Sequence, residues 1–298
     1  MPTKKHFGWA GPEAAKRAWN QVAGSFQPAL VYGQTESSAG KRVVLWDFTR
    51  PINGGKDLPN HAQEIGDCVS WGLKHATDYL QCMEILRLGD NEEFHPTFAP
   101  YFYGTSRVQV GGGRLGNGDG SLGSWGAEAA MKYGVLREDE KGVPKYTGAI
   151  AKTWGRSGPP SAFLEIGKRH LIKSAARVTS WEQMRDMLHS GYPCTIASMK
   201  GWQMKLKDDG GKSWFTGKDQ WPHQMHISGY DETGSRPGAF RGNSWGPTAH
   251  GPQLDGPAGG GWQDVEDLDR ELRSGDTEAY ALSQFNGFPA QNLNYLLG

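Results

Sequence analysis

The stretch QEIGDCVSWGLKHATDYLQ, residues 63–81, sets a cysteine directly before a helical pattern and five residues after a glutamine. From Cys68 to Leu88 the positions Val69, Gly72, Leu73, Ala76, Leu80, Met83 and Leu86 recur at intervals of three and four, which predicts one long helix. Gly89 follows as a C-cap glycine would. Lys74, Asp78, Gln81 and Arg87 are expected on the opposite, solvated face. A buried structural thiol needs no such setting, whereas a nucleophile does. The thiolate is the reactive form of cysteine, and a helix N-terminus stabilises it through its dipole and free N–H groups.

Upstream, residues 1–42 form an N-terminal extension with one helical candidate, Glu13 to Val22. KRVVLWDF (41–48) reads as a strand, and PINGGKDLPNHAQ (51–63) is rich in turn formers. Downstream lie an aromatic segment, FHPTFAPYFYGTSR, and a glycine-rich loop, GGGRLGNGDGSLGSWG. A short helix, Ala127 to Tyr133, is closed by Gly134. Residues 138–178 read as irregular, with a short helix at Ser161 to Lys168. Ser180-Trp181-Glu182-Gln183 fits a capping box opening a helix to His189. CTIASM (194–199), His223 to Tyr230, Ala239 to Gly242 and Gly261 to Val265 read as strands. Helices mainly first and strands mainly second predict an α+β fold, with a helical lobe at roughly 60–135 and a β lobe at roughly 175–285. The domain is expected over 43–285, followed by a tail at 286–298 that is either disordered or docks on a partner.

The 298 residues hold 32 Lys plus Arg and 32 Asp plus Glu, a zero balance that favours neither nucleic acid nor an anionic membrane as partner. No apolar run at the N-terminus suits a signal peptide, and none approaches a membrane span. Three cysteines, Cys68, Cys82 and Cys194, do not form a disulfide framework and suit a reducing compartment. Cys82 and Cys194 read as small buried hydrophobes. No His/Cys spacing suggests zinc, no Gly-x-Ser-x-Gly elbow is present, and no cofactor or metal is expected.

Three pieces stand in order: GDC at 66–68, HQMHISGYD at 223–231 and FRGNSWG at 240–246. Here the chain resembles the papain-like cysteine peptidases, as a divergent member of bacterial or phage type. The likeness extends to PTFAPYFY (96–103), GDGS (118–121), AMKYGV (130–135) and GGGWQDV (259–265), thinly between the motifs. It implies a thiol-dependent hydrolase of peptide bonds, with a helical lobe packed on an antiparallel β lobe and a cleft between them. It implies Cys68 as nucleophile, His223 as acid and base, Asn243 as its orienter and Trp245 as a shield for that contact. The Cys68 N–H and the Gln63 side chain would serve an oxyanion. Of the two histidines, His223 stands six before Gly229, as the family pattern requires, and His226 does not. Alternation along a strand puts them on opposite faces, and His226 is expected to be a hydrogen-bonded sheet histidine.

The sequence departs from the family in places. Gln63 stands five before the cysteine rather than six, with Ala62 at the expected place. Ile65 replaces a disulfide cysteine and Val69 an aromatic. Asp67 beside the thiol raises the thiol's pKa unless paired or turned away. GNGDGSLG (116–123), with Gly118, Asp119, Gly120 and Ser121 at its centre, reads either as a substrate wall that takes extended peptide by backbone hydrogen bonds or as a flexible loop. The insertion at 201–221 reads as a lid, a partner contact or a surface loop. About 42 residues of lead-in are too few for a long inhibitory prodomain. Two further functions stay open: a structural component of an assembly such as a virion, docking through the extension or the insertion, and a cell-wall peptide hydrolase or acyl transferase. The expected location is cytoplasmic or virion-associated.

Overall fold

In the computed structural model, which describes residues 5–29, 38–88, 93–284, 286–289 and 293, the helix opened by Cys68 runs Cys68–Leu88 as its periodicity predicts (α3). It forms the spine of the fold. A long strand, β7 (Asp219–Asp231), packs along one side with β4 (Cys194–Gly201). The helices α2 (Trp46–Ile52), α4 (Ala99–Gly104) and α5 (Gly123–Tyr133) pack along the other. Covered on both sides, α3 has no solvated face at Lys74 and Asp78. Both are 1 % exposed and pair at 2.6 Å, and Asp78 also accepts the Thr97 N–H at 2.9 Å. The expected polar face is therefore wrong at these positions, because buried charges persist only when paired and hydrogen-bonded. Gln81 and Arg87 are half-buried, and Gly89 lies outside the described residues.

The sheet runs β1-β3-β10-β4-β7-β8-β9-β6-β5, with β2 (Arg42–Val44) added on β7. The other strands are β1 (Gln27–Pro28), β3 (Ser174–Arg177), β5 (Lys207–Asp209), β6 (Lys212–Trp214), β8 (Gly238–Gly242), β9 (Gly260–Asp264) and β10 (Glu278–Ser283). Pairings are antiparallel except β1 with β3 and β6 with β9. The result is an α+β molecule of a helical lobe and a β lobe that meet along α3 and β7.

KRVVLWDF is a strand only to Val44. Leu45 turns the chain and Trp46 opens α2, stacking edge-on to Phe240 at 4.8 Å and Trp262 at 6.1 Å. The segment expected to be irregular contains α6 (Gly148–Ser157), with Thr147 accepting the Ile150 N–H, and the short helix expected at Ser161 to Lys168 is α7 (Ser161–Gly167). Ser180 caps α8 (Trp181–His189) as its motif predicts. A final helix, α9 (Val265–Arg273), is capped by Asp264. The extension joins the fold through α1 (Pro12–Val22), which packs on α5, and through β1. The described tail residues dock on this chain: Phe288 meets Tyr192 edge-to-face at 5.1 Å, and the Tyr192 hydroxyl donates to the Pro289 carbonyl at 2.8 Å. Among the described residues no helix is long and apolar enough to cross a membrane.

Candidate active site

Cys68 opens α3 at the seam with β7. The Gln224 N–H donates to its Sγ at 3.3 Å, and the Gln224 side chain donates to the Val69 carbonyl at 3.1 Å. Gly72 permits this closeness, since a Cβ there would meet Gln224 Cγ at 3.0 Å. His223 is the residue before Gln224, so its backbone adjoins the contact that Gln224 makes with the thiol. The Asn243 Oδ1 lies 2.8 Å from His223 Nε2 and accepts the Ser244 N–H at 2.7 Å. A backbone N–H can only donate, so the amide orientation is fixed. The Asn243 Nδ2 then donates to His250 Nε2 at 2.9 Å, and His250 carries its proton on Nδ1, which donates to the Met204 carbonyl at 2.8 Å. By the same logic His223 holds its proton on Nε2. Its Nδ1 is buried, unprotonated and without a hydrogen bond. An imidazole nitrogen in that state is a proton acceptor in waiting. Trp245 lies over the His223 ring at 4.7 Å.

His226 points to the other face of β7. Its ring stacks on His75 of α3 at 4.9 Å and on Tyr79 at 5.6 Å. Its Nδ1 has no partner, so the hydrogen bond expected of it is not made at this nitrogen, and the ring is held against His75 and Tyr79 at tilts of 34° and 36°. Gly242 makes room for the ring, since a Cβ there would lie 2.1 Å from His226 Cε1.

Residues 6–10 run across the site. The N–H groups of Gly8 and Trp9 donate to the Pro222 carbonyl at 3.2 and 3.1 Å. Ser121 donates its N–H to the Gly8 carbonyl at 2.8 Å and accepts the Ala10 N–H at 3.0 Å, a parallel bridge. Phe7 sits edge-on to His223 at 6.1 Å and to Trp245 at 5.7 Å. A Cβ at Gly8 would lie 1.9 Å from the Gly66 carbonyl oxygen, so only glycine passes here. Lys5 pairs with Asp219 at 2.7 Å. Under this arm Cys68 and His223 are both 0 % exposed. Residues of the N-terminal extension thus cross the site.

Burial decides the protonation states. It pushes the Cys68 thiol up to about 12, outweighing the N–H groups of Gln224, Gly8 and Val69, and it pushes His223 down to about 3. The covered site therefore holds a neutral thiol and a neutral imidazole. Burial also pushes the Asp67 carboxyl up to about 8. The Tyr146 hydroxyl donates to it at 3.1 Å. Asp67 is therefore mostly neutral at pH 7, and what charge it carries raises the thiol further.

The Gln63 amide is engaged. Its Nε2 donates to the Ile65 carbonyl at 2.7 Å and the His6 carbonyl at 3.2 Å, and its Oε1 accepts the Ser244 hydroxyl at 2.5 Å. One of its two N–H groups is thus spent on the arm. The 116–123 loop is not flexible. Buried Arg107 donates to the carbonyls of Gly116, Gly118 and Gly120, the Tyr103 hydroxyl accepts the Gly120 N–H at 2.9 Å, and Asp119 accepts the Gly66 N–H at 3.3 Å. The expected extended peptide on this wall is the chain's own arm. The 201–221 insertion is a buttress: Trp202, Leu206, Phe215 and Trp221 pack with Trp245 and Ala249, and Met204 anchors His250. Nothing in the motifs marked His250 or the arm. Met204 lies 46 residues before His250, and the arm's partners Gln63 and Trp245 lie 57 and 239 residues from His6. Cys82 and Cys194 are buried and free.

No protein-family model matches the sequence, and no curated protein matches it. Solved structures do. Xylellain, a cysteine protease from Xylella fastidiosa, superposes with a TM-score of 0.58 at 14 % identity over 96 % of this chain and 95 % of that one. The fold is papain-like. Digestive procathepsin L 3 of Tenebrio molitor matches with a TM-score of 0.57 at 13 % identity, over 87 % of this chain and 74 % of that one. The ragweed cysteine protease Amb a 11, in its proform, matches at 0.53 and 14 %, over 96 % and 76 %. The papain-like fold accounts for the helical lobe, the β lobe and the seam at which Cys68 meets β7.

Proposed function

We propose that this chain is a thiol peptidase held latent by its own N-terminal arm. The observation that carries the reading is the chain of hydrogen bonds from Met204 through His250 and Asn243 to His223, which leaves the His223 Nδ1 without a hydrogen bond one residue from the Gln224 N–H that meets Cys68. With the arm withdrawn, water reaches the site and the desolvation that holds both groups neutral is relieved. His223 Nδ1 takes the Cys68 proton, and the thiolate sits at the α3 N-terminus. The thiolate attacks the substrate carbonyl. The oxyanion is met by the Cys68 N–H and by the Gln63 N–H that the arm's His6 carbonyl no longer holds. The imidazolium gives its proton to the leaving amine, and a water activated by His223 then cleaves the thioester. Trp245 keeps bulk water from the His223–Asn243 contact. Two of the matched structures are a procathepsin and a proform, which supports reading the covered site as a latent state.

The Gly8→Val substitution tests this, because no side chain fits between Gly8 and the Gly66 carbonyl and the arm must leave. The Gly8→Val chain is expected to cleave casein at least about 100-fold faster than the parent, a conservative figure for exposing a general acid–base pair. Adding Cys68→Ala should abolish that cleavage. Casein left intact by a folded Gly8→Val chain contradicts the reading. Release of peptides from peptidoglycan instead of casein, or transfer to added amines, would keep the chemistry and change the bond.

A further inference from the structure

We propose that this chain binds a small phosphate, as the free ion or a monoester, in a cavity beside the middle of α3, where Arg137, Arg169 and Lys173 meet Thr77 and Gln81. The cavity is remote from the nucleophile. Thr77 and Gln81 stand nine and thirteen residues after Cys68 on the same helix, which is about 14 and 20 Å along its axis. The site works whether or not Cys68 is a nucleophile.

The cavity has a volume of about 230 Å³, several times the roughly 30 Å³ that a water molecule takes up. A phosphate and part of its carrier fit. Arg137 comes from the turn after α5, and Arg169 and Lys173 come from the segment between α7 and β3. Backbone bonds fix this frame. The Val135 N–H donates to the His170 carbonyl at 3.0 Å, and the Lys173 N–H donates to the Ser283 carbonyl at 3.0 Å. The walls are therefore in place without a ligand.

The lining groups lack partners that similar groups nearby possess. Among the described residues Arg137, Arg169 and Lys173 form no ion pair. Lys168, the residue before Arg169, pairs with Glu165 at 2.8 Å, and His95 pairs with Asp139 at 2.7 Å. Among the described residues the only carboxylate on the lining is Glu84, which acts on Arg87 of its own helix. Three cations thus face one carboxylate, an excess of two positive charges. Thr77 is 2 % exposed, and its hydroxyl is buried without a hydrogen bond. A threonine inside a helix commonly turns its hydroxyl to a carbonyl of the preceding turn, as Thr105 does to Tyr101 at 2.8 Å. Gln81 spends its Oε1 on the His95 N–H at 2.8 Å, which leaves its amide N–H groups to donate.

The occupant must therefore bring about two negative charges and acceptors pointing several ways. A phosphate monoester carries about −1.5 to −2 charges at pH 7 and three acceptor oxygens. A guanidinium binds it through paired N–H groups, and an ammonium binds it as a point charge. A carboxylate brings one charge and two oxygens, which leaves part of this donor set unpaired. Surface cations alone would attract any anion. The buried Thr77 hydroxyl adds a directed donor at the inner wall and makes the cavity a site.

Titration calorimetry of the full-length chain at constant ionic strength tests the site, with inorganic phosphate, phenyl phosphate and phenylacetate as probes. At least one of the two phosphates should bind at a single site about tenfold or more tighter than phenylacetate, the scale of one charge-assisted hydrogen bond. Tighter binding of phenyl phosphate assigns the site to a monoester, and tighter binding of inorganic phosphate assigns it to the free ion. Lys173→Gln and Arg169→Gln, both at exposed positions, should each weaken phosphate binding by about tenfold. Thr77→Val, which keeps the shape and removes the hydroxyl, should weaken it by about fivefold. Lys168→Gln removes a neighbouring charge outside the cavity and should change it by less than about twofold. Phenylacetate bound as tightly as the phosphates overturns the site. So does a Lys168→Gln loss as large as the Lys173→Gln loss, because both mean diffuse surface charge. A folded parent chain that shows no saturable phosphate binding also overturns it. The two surface variants carry the test even if Thr77→Val misfolds.

Discussion

His223 and His226 stand three residues apart on one strand, and burial pushes both down to about 3. They differ in what their nitrogens meet. His223 is tied through Asn243 and His250 to Met204, so its tautomer is set and its Nδ1 is left without a hydrogen bond. His226 is held by ring stacking on His75 and Tyr79. Burial makes a histidine neutral, but a directional chain of donors and acceptors is what makes it a usable base.

The largest effect that sharpens this contrast is on turnover. In the Gly8→Val chain, His223→Ala should lower kcat by about 1000-fold, within the range for losing a general acid–base group. His226→Phe should change kcat by less than about threefold, since it keeps the stacked packing. A His226 variant as inactive as the His223 one would break the contrast. A smaller effect concerns acid stability. His75 and His226 are both held well below the ordinary value of 6.5 by burial, and charge on His226 further disfavours charge on His75. Their neutral forms are favoured in the fold, so the unfolded chain takes up protons first as pH falls. The stability is complete above pH 6.5 and is lost as pH falls toward the folded values. Between pH 6.5 and 4.5 the unfolding free energy from urea titration should therefore fall by about 2 kcal/mol less in His226→Phe than in the parent. An unchanged slope would mean that the stacked pair is not what titrates.

The elements written locally were legible in the sequence. Helix α3, the Ser180 cap, β4, β7 and β8 each follow from periodicity or from a motif, and the grouping of Cys68 with His223, Asn243 and Trp245 follows from three ordered motifs. What stayed hidden depends on distant chain. Lys74 and Asp78 looked solvated because nothing local tells that α4 and β7 cover both sides of α3. Asp67 looked charged because its burial comes from the Tyr146 region, 79 residues on. Gln63 looked free because its partners are His6 and Ser244. The arm passed as a lead-in because its one marker is Gly8, a glycine among 43.

The central claim is that the arm alone keeps a thiolate–imidazolium pair from forming. The pH dependence of Cys68 alkylation tests it most directly, measured side by side in the parent and the Gly8→Val chain with Cys82 and Cys194 as internal references. The account predicts slow reaction of Cys68 across pH 5 to 8 in the parent and fast reaction already near pH 5 to 6 in the variant, well below the ordinary thiol value of about 8.5. A Cys68 that titrates like an ordinary thiol, or stays inert in the folded variant, would contradict it.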